Sequence, residues 1–345
     1  MNDDAVVRVT RRGLVLGAAA TAALAATGTA ATASPGGHDD DPLRVLVATN
    51  EPWGTYHVRP LLAEAARRGY LLTQLVPDYS QIAPGESVPV ATPQTAPRAD
   101  LLVVTGASDW PADMAARFPR LRLAASSLAY LNPVEAPRAR ELRHRLRAIT
   151  SSSPAEARAF AGYLGLHRPI QVVGSPQTDA LPARDPQPDT VLVLTSVTYP
   201  DQTGGAAPGT QLLLDAAARL QAAGKRIVVG LHPRENPALW DRYEISDVPS
   251  VEAAARAEAA IGIPGTVFPL VVAVGTPVVG CLDPALRVPD YLLAVCSSTI
   301  TSAEGAVPAV EQARLPDART LADAVGPVGG SAARLLSSWR RAARP

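Results

Sequence analysis

Two stretches decide the fold of this chain: RIVVGLHPRENPALW at 226–240 and AAIGIPGTVFPLVVAVGTPVVGC at 259–281. Each contains short apolar runs rich in β-branched residues that stop at polar or Gly/Pro turns. Three such runs are predicted to be buried parallel strands, and a helix is predicted between the last two. The strands are expected at 226–231, 259–263 and 277–280, and the helix at 267–274. This alternation predicts an α/β domain with a parallel sheet.

Polar residues follow the first two of these strands. His232 and Arg234 come after one strand, and Gly265 and Thr266 come after the next along the chain. Ligands of open α/β sheets bind outside the carboxyl ends of strands, and helix N-termini favour anions. We therefore expect these residues at neighbouring strand ends, where an imidazole, a guanidinium and a Gly-Thr turn would bind a phosphate or another anion.

The arrangement resembles the C-terminal domain of GT-B fold proteins. These include nucleotide-sugar glycosyltransferases, bacterial sialyl- and polysialyltransferases, glycerophosphotransferases of the teichoic-acid type and UDP-sugar 2-epimerases. The shared pattern is a strand running into His-Pro, a strand running into Gly-Thr and a helix ending at Gly-x-Pro-Val, found here at 231–233, 265–266 and 275–278. The resemblance implies that His232 and Thr266 contact the donor phosphate. Many relatives hold the nucleotide ribose with a Glu four residues after Gly-Thr, where this chain has Leu270.

The first half of the chain also begins as strand, helix and strand, at 43–48, 58–68 and 71–76. This pattern predicts a second parallel sheet with right-handed crossovers. The first turn lacks the GxGxxG pattern, which argues against a dinucleotide fingerprint. Instead the turn contains a set of polar and aromatic residues: Asn50, Glu51, Trp53, Tyr56 and His57.

His57 is the candidate catalytic residue. The resemblance implies that it activates the acceptor hydroxyl, because several GT-B enzymes use a histidine in this loop. An imidazole titrates near neutral pH and is therefore suited to act as a general base. The alternative interpretation is a histidine at a helix start that faces solvent.

The predicted organisation is two Rossmann-like parallel-sheet α/β domains that face a cleft, as in the GT-B fold. The predicted segments are a twin-arginine (Tat) signal peptide at 1–33, a linker at 34–42, the N-terminal domain at 43–180, a hinge at 181–189, the C-terminal domain at 190–330 and a C-terminal helix at 331–345. Thr195 and Ser196 follow the first strand of the second domain, and the resemblance places them at the donor phosphates. The resemblance also implies that the last helix, with Trp339, contacts the first domain.

The N-terminus has the features of an export signal. Arg11 and Arg12 precede a weakly apolar, Ala-rich run that ends in the small residues Ala31-Thr32-Ala33. This order predicts export through the Tat translocase to the cell envelope or the medium. An uncleaved anchor or a chance arginine pair is the alternative.

Composition excludes some functions. Lys+Arg and Asp+Glu both number 32, so the chain has no basic field for nucleic acid. Cys281 and Cys296 could pair outside the cell or stay as buried free thiols. Cysteines and histidines do not cluster at metal-ligand spacing, so the sequence predicts no metal site and no cofactor.

Four local predictions concern single segments. A helix is expected at 132–147, with Glu141 near Arg145. Asp109 is expected to cap a helix that starts near Pro111. Ser153 and Glu156 fit a capping box, which explains Ser151–Ser153 better than a nucleophile without a placed histidine. The Pro-rich excursion at 78–97 is expected to form a flap over the cleft.

The predicted function is group transfer from a phosphate-activated sugar donor, nucleotide- or lipid-linked, to a glycan or envelope acceptor. Activated nucleotide donors are cytoplasmic, so export favours a lipid-linked donor or a loss of catalysis. One alternative is a secreted, non-catalytic, two-lobed binding protein for an anionic or glycan ligand. Another is an envelope interaction protein without a small ligand.

Replacing Arg11 and Arg12 together by lysine should retain the protein inside the cell, because the Tat pathway reads the arginine pair. Immunoblots of the cell and medium fractions measure the distribution. Continued export of the Lys-Lys variant would show that the segment is not a Tat signal.

Overall fold

The computed structural model describes residues 41–345, apart from 107, 128–136, 168, 197–207 and 233–234 and the side chains of 137 and 139. The predicted signal peptide and most of the predicted linker lie outside these ranges. None of the helices in the described ranges has the length and apolar character needed to cross a bilayer.

The first lobe is a seven-stranded parallel sheet in the order β3-β2-β1-β4-β5-β6-β7. Its strands are β1 (Leu43–Ala48), β2 (Tyr70–Leu75), β3 (Val90–Ala91), β4 (Leu101–Thr105), β5 (Arg122–Ser126), β6 (Leu146–Ser151) and β7 (Gln171–Val172). Its α-helices are α1 (Leu62–Arg67), α2 (Asp109–Arg117) and α3 (Pro154–Leu164). Short 3-10 helices cover Thr55–His57, Arg59–Leu61, Pro137–Leu142 and Pro176–Thr178.

The second lobe is a six-stranded parallel sheet in the order β10-β9-β8-β11-β12-β13. Its strands are β8 (Thr190–Leu194), β9 (Arg226–Gly230), β10 (Glu244–Ile245), β11 (Ala259–Gly262), β12 (Val278–Cys281) and β13 (Cys296–Ile300). Its helices are α4 (Thr210–Ala222), α5 (Ser250–Ala255), α6 (Phe268–Val274), α7 (Asp290–Leu293), α8 (Ala306–Glu311) and α9 (Ala318–Val325), and the last helix of the chain is α10 (Ser331–Ala343). Pro237–Leu239 and Ala303–Gly305 form 3-10 turns. Two parallel-sheet α/β lobes confirm the predicted fold class.

Both faces of each central strand are buried, which explains the unbroken apolar runs. In β1, Val45 and Val47 point into one core and Leu46 and Ala48 into another. Helices therefore cover both sides of the sheet, as parallel topology requires.

The C-terminal helix α10 returns to the first lobe and packs there. Trp339 is fully buried with Leu335 and Leu336 in a core that the first sheet shares. Its indole N–H donates to Ser126 Oγ at 2.9 Å. The contact predicted for Trp339 is confirmed.

The two segments that connect the lobes are fastened to each other. The Asp179 carboxylate accepts the N–H groups of Ser331 and Ala332 at 2.7 and 2.8 Å and so caps α10. Gly174 has φ +85°, and a Cβ there would lie 2.3 Å from the Pro327 carbonyl oxygen. Only glycine fits this crossing.

The helix predicted at 132–147 is wrong in the part that the structure describes. Leu146 begins β6, and only a 3-10 helix precedes it. Arg145 donates to carbonyls at the end of α2, those of Phe118 and Leu121 at 3.0 and 3.3 Å, instead of pairing with Glu141. Burial lowers the pKa of Arg145. Ile149, Thr150 and Ser151 are all buried in β6, and the β-branched Ile149 and Thr150 favour a strand.

One other local prediction needs correction. Asp109 is the first residue of α2 and not its cap; Ser108 occupies the cap position, and its hydroxyl donates to Asn50 Oδ1 at 2.8 Å. The Ser153 half of the predicted capping box is confirmed, because Ser153 Oγ accepts the Glu156 N–H at 3.1 Å, and the Glu156 carboxylate accepts the N–H of Ser152 at 2.7 Å.

Both cysteines are free thiols on the paired strands β12 and β13. Burial raises the pKa of each thiol, for Cys281 and Cys296 alike, to about 12. They are therefore protonated and unreactive at neutral pH.

The excursion at 78–97 is an integral part of the first lobe and not a free flap. It contributes β3 to the sheet edge and carries Glu86, which is bound from three sides. The Glu86 carboxylate accepts the Thr55 hydroxyl, the Arg59 guanidinium at 2.8 Å and the Val88 N–H at 3.0 Å. These contacts fasten the excursion to the turn that carries His57.

Glu86→Gln should destabilise the fold at pH 7 by about 1.5–3 kcal/mol, the usual worth of hydrogen bonds to a charged group. Although burial of the carboxylate opposes the shift, the hydrogen bonds lower the pKa of Glu86 from 4.5 to about 2. Its contribution is complete above pH 4.5, where the unfolded chain is also ionised, and is lost as the pH falls towards 2.

Urea unfolding at pH 7 and pH 3 measures the difference between wild type and variant, which should shrink at pH 3. The exposed Glu141→Gln is the control and should stay within about 0.5 kcal/mol of wild type. A difference for Glu86→Gln that is absent at pH 7, or that grows on acidification, would contradict the assignment.

Candidate functional site

The predicted donor residues follow three strands whose ends are in register. Leu194 of β8 pairs with Gly230 of β9 on one side and with Gly262 of β11 on the other. The polar residues after these strands therefore lie along one edge of the sheet. The order corrects one expectation: β9 and β11 are not neighbours, because β8 lies between them. Strands lie about 4.8 Å apart, so the two ends are about 10 Å apart.

Thr195, which follows the middle strand β8, is hydrogen-bonded to the turn after the neighbouring strand β9. Its hydroxyl accepts the backbone N–H of His232 at 2.9 Å, and its side chain is buried. This bond fixes the start of the turn that carries the imidazole. A hydroxyl also has a hydrogen to donate, so Thr195 can still bind an anion at the same edge. Ser196 follows and is half-buried.

Gly265 and Thr266 form the turn between β11 and α6. Both are half-buried, and the Gly265 carbonyl accepts the Phe268 N–H at 3.0 Å. A Cβ at Gly265 would meet only the Ile263 carbonyl oxygen, at 3.7 Å, so the backbone there is open to approach by a ligand. Pro269, in the first turn of α6, has no N–H, so the backbone N–H donors at this strand end belong to the turn before it.

Leu270 occupies the position where the resemblance to GT-B proteins leads us to expect a ribose-binding glutamate. Its side chain is buried and packs in the core with Val271 and Phe268. A carboxylate there would be buried among apolar groups, so this position of α6 contributes to core packing.

Arg234 lies outside the described residues, whereas Glu235, which follows it, is described. Glu235 is buried, its N–H donates to the His232 carbonyl at 2.9 Å, and its carboxylate accepts the Asn236 N–H at 2.8 Å. Sequence reasoning overlooked Glu235, although a charged residue directly after a strand-end motif was the available signal.

His57 lies in the first lobe, in the turn after β1. It ends the 3-10 helix Thr55–His57, and its half-buried ring packs on Tyr56 with 4.2 Å between centroids. It is therefore not at a helix start facing solvent. The Tyr56 hydroxyl donates to the Glu51 carboxylate, so Glu51 lies in the same turn.

Asn50 joins this turn to the loop after β4. Its side-chain oxygen accepts the Ser108 N–H at 3.1 Å, and its own N–H donates to Thr105 Oγ1 at 3.2 Å. Gly106, with φ +78°, lies against Asn50, where a Cβ would come within 2.1 Å of the amide. The ends of β1 and β4 are thus rigidly held.

A buried carboxylate network lies at the ends of β5 and β6. Glu156 is fully buried, and its carboxylate accepts the hydroxyls of Ser127 and Ser151 at 2.7 and 2.6 Å and the Ser152 N–H at 2.7 Å. The serines are thus engaged in holding the start of α3, which agrees with the capping interpretation. The sequence showed the cap but not its burial.

In the described part of the chain, Cys, His, Asp and Glu side chains do not come together in groups that could hold a metal ion. The Glu235 carboxylate lies in the turn after β9, and the other polar groups along the β8, β9 and β11 ends are N–H groups, hydroxyls and an imidazole. Such groups donate hydrogen bonds to anions.

Solved structures share the architecture. The UDP-GlcNAc 2-epimerase of Methanocaldococcus jannaschii, solved with UDP-GlcNAc and UDP, aligns with a TM-score of 0.56 and 14% identity over 86% of this chain and 98% of that one. The Staphylococcus aureus MnaA–UDP structure gives 0.56 and 13% over 86% and 95%. Acinetobacter baumannii MurG gives 0.53 and 11% over 87% and 100%.

Sequence comparison adds little. No protein-family model matches the chain. A 5'-nucleotidase SurE of Synechococcus sp. (strain CC9605) is 36% identical over 69 residues, which are 20% of this chain and 26% of that protein. The match thus spans about a quarter of the curated relative.

The two parallel sheets, their strand orders and these structural neighbours agree. The chain has a GT-B fold, with two Rossmann-like lobes.

Proposed function

We propose that the protein binds the diphosphate of an activated sugar at the ends of β8, β9 and β11 and transfers the sugar to an acceptor. The observation that carries the proposal is the common edge of these in-register strands, where Thr195 Oγ1 accepts the His232 N–H at 2.9 Å. The structural neighbours solved with UDP support a nucleotide-linked donor.

The chemistry follows from this placement. When a glycosidic phosphate leaves, negative charge grows on its oxygens, and preorganised donors lower the barrier most where that charge develops. The imidazole of His232, the hydroxyls of Thr195 and Thr266 and the open backbone at Gly265 would supply such donors. Ser196 and Arg234 are proposed to add to them. His57, in the first lobe, would accept the proton of the acceptor hydroxyl.

Leu270 shapes the choice of donor. Without a carboxylate on α6, recognition depends on the diphosphate and not on the ribose. A lipid-linked sugar diphosphate presents the same phosphate chemistry without a ribose. This suits the proposed export by the Tat translocase to the envelope or the medium, where nucleotide donors are scarce and a glycan or envelope acceptor is present.

A second candidate function is a non-catalytic, two-lobed binding protein for an anionic or glycan ligand. The buried Leu270 favours it, because the ribose contact of many relatives is missing. The 69-residue match to 5'-nucleotidases covers too little of those proteins to support their activity here.

Thermal unfolding of the full chain with UDP, CDP or CMP tests the donor site. At a hundredfold excess over Kd, a bound ligand adds about 2.7 kcal/mol of stability, which raises the midpoint by several degrees. We expect a rise with at least UDP or CDP and its loss in His232→Ala.

His144→Ala is the matched control, because His144 is exposed and belongs to the turn before β6. It should respond to UDP as wild type does. A rise that survives in His232→Ala would place the nucleotide elsewhere. Failure of UDP and CDP, with stabilisation by envelope glycans, would favour the binding protein.

A further inference from the structure

A large groove lies between the lobes. It has a volume of about 1060 Å³ and is formed by α3 of the first lobe and by α7 and α9 of the second. Its polar and aromatic lining is Arg158, Tyr163, Asp290, Tyr291, Arg319 and Asp323. None of the predicted donor residues, nor His57, lines it. Ligand sites commonly occupy such concave spaces between domains.

One part of the groove lies near a strand end of the first lobe. Helix α3 begins three residues after the end of β6, and α7 follows β12. The carboxyl end of β6 therefore lies next to the groove, beside Pro154 and Ala155. A chain lying in it would approach the region where the two lobes face each other.

The charges in the groove balance. Two arginines and two aspartates line it, and one pair crosses between the lobes: Arg158 Nη1 and Nη2 donate to Asp323 Oδ1 and Oδ2 at 2.9 and 2.6 Å. The pair stays accessible, with side chains 66% and 42% exposed. A neutral groove does not concentrate a polyanion, but its carboxylates and guanidiniums can bond hydroxyl groups.

Aromatic and small residues complete the lining. Tyr163 is half-buried and Tyr291 is buried, and both border the groove beside Pro154, Ala155 and Ala159. Tyrosine offers a flat apolar face together with a polar hydroxyl. A sugar ring has the matching surfaces, a C–H face and a rim of hydroxyls.

We propose that this groove binds the acceptor and that the acceptor is an uncharged, polyhydroxylated chain, a neutral oligosaccharide. The inference rests on the proposed transfer function, for which it names the acceptor class. Because α3 and α9 belong to different lobes, a chain bound here would contact both lobes at once.

The test uses the full chain and four hexasaccharides. Maltohexaose, mannohexaose and chitohexaose are uncharged, and hexagalacturonate is an anion of the same length. Saturation-transfer NMR detects binding, and titration gives Kd. We expect at least one neutral hexasaccharide to bind with a Kd of about 1 mM or lower, and hexagalacturonate to bind more weakly.

Variants locate the binding. Tyr163→Ala and Asp323→Asn should each weaken it about tenfold, whereas Tyr163→Phe, which keeps the ring, should weaken it less. Tyr79→Ala is the control, because Tyr79 is 53% exposed and lies on the first-lobe excursion. Unfolding midpoints of all variants verify that they fold.

Three results would overturn the proposal: no neutral hexasaccharide binds, hexagalacturonate binds best, or the groove variants bind as wild type does. The UDP experiment is separate, because the titrations contain no nucleotide. A UDP response without hexasaccharide binding refutes the groove alone. Hexasaccharide binding without a nucleotide response refutes the donor site and leaves a glycan-binding protein.

Discussion

The register of three parallel strands is the constraint on which the site depends. Leu194, Gly230 and Gly262 lie side by side, and a Cβ at Gly262 would come within 2.5 Å of the Leu194 carbonyl oxygen. Glycine therefore permits the close approach of β11 to β8. The turns that follow the three strands therefore start side by side at one edge of the sheet. The hydrogen bond from the His232 N–H to Thr195 Oγ1 then fixes the start of the turn after β9.

The same chain must also hold its two lobes together. Trp339 anchors α10 in the first lobe, and Asp179 binds the start of α10 to the segment that leads from the first lobe to the second. Beyond Asp179, in the segment predicted as the hinge, the Arg184 guanidinium donates to the Ala257 carbonyl at 3.1 Å in the second lobe. The lobes are thus joined by two short connections and by the Arg158 contact across the neutral groove.

Much of the fold was predictable from local patterns. Apolar runs that stop at polar or Gly/Pro turns predicted β1 with its observed limits and β9 and β11 with one residue too many, because burial on both faces leaves a signal in the sequence itself. The errors arose where tertiary contacts decide. Arg145 was assigned to a helical charge pattern, but it binds the end of α2. Ser108 took the cap position because Asn50, far away in sequence, binds its hydroxyl. Strand order is likewise non-local, so the sequence placed His232 and Thr266 together without showing β8 and Thr195 between them.

A crystal structure of the full chain with UDP tests the central claim most directly. The account predicts diphosphate density along the ends of β8, β9 and β11, with phosphate oxygens within 3.2 Å, roughly hydrogen-bond distance, of Thr195 Oγ1 and of donors in the His232 or Thr266 turns. Density for the nucleotide in another part of the molecule, or an ordered UDP whose phosphates avoid this edge, would contradict it.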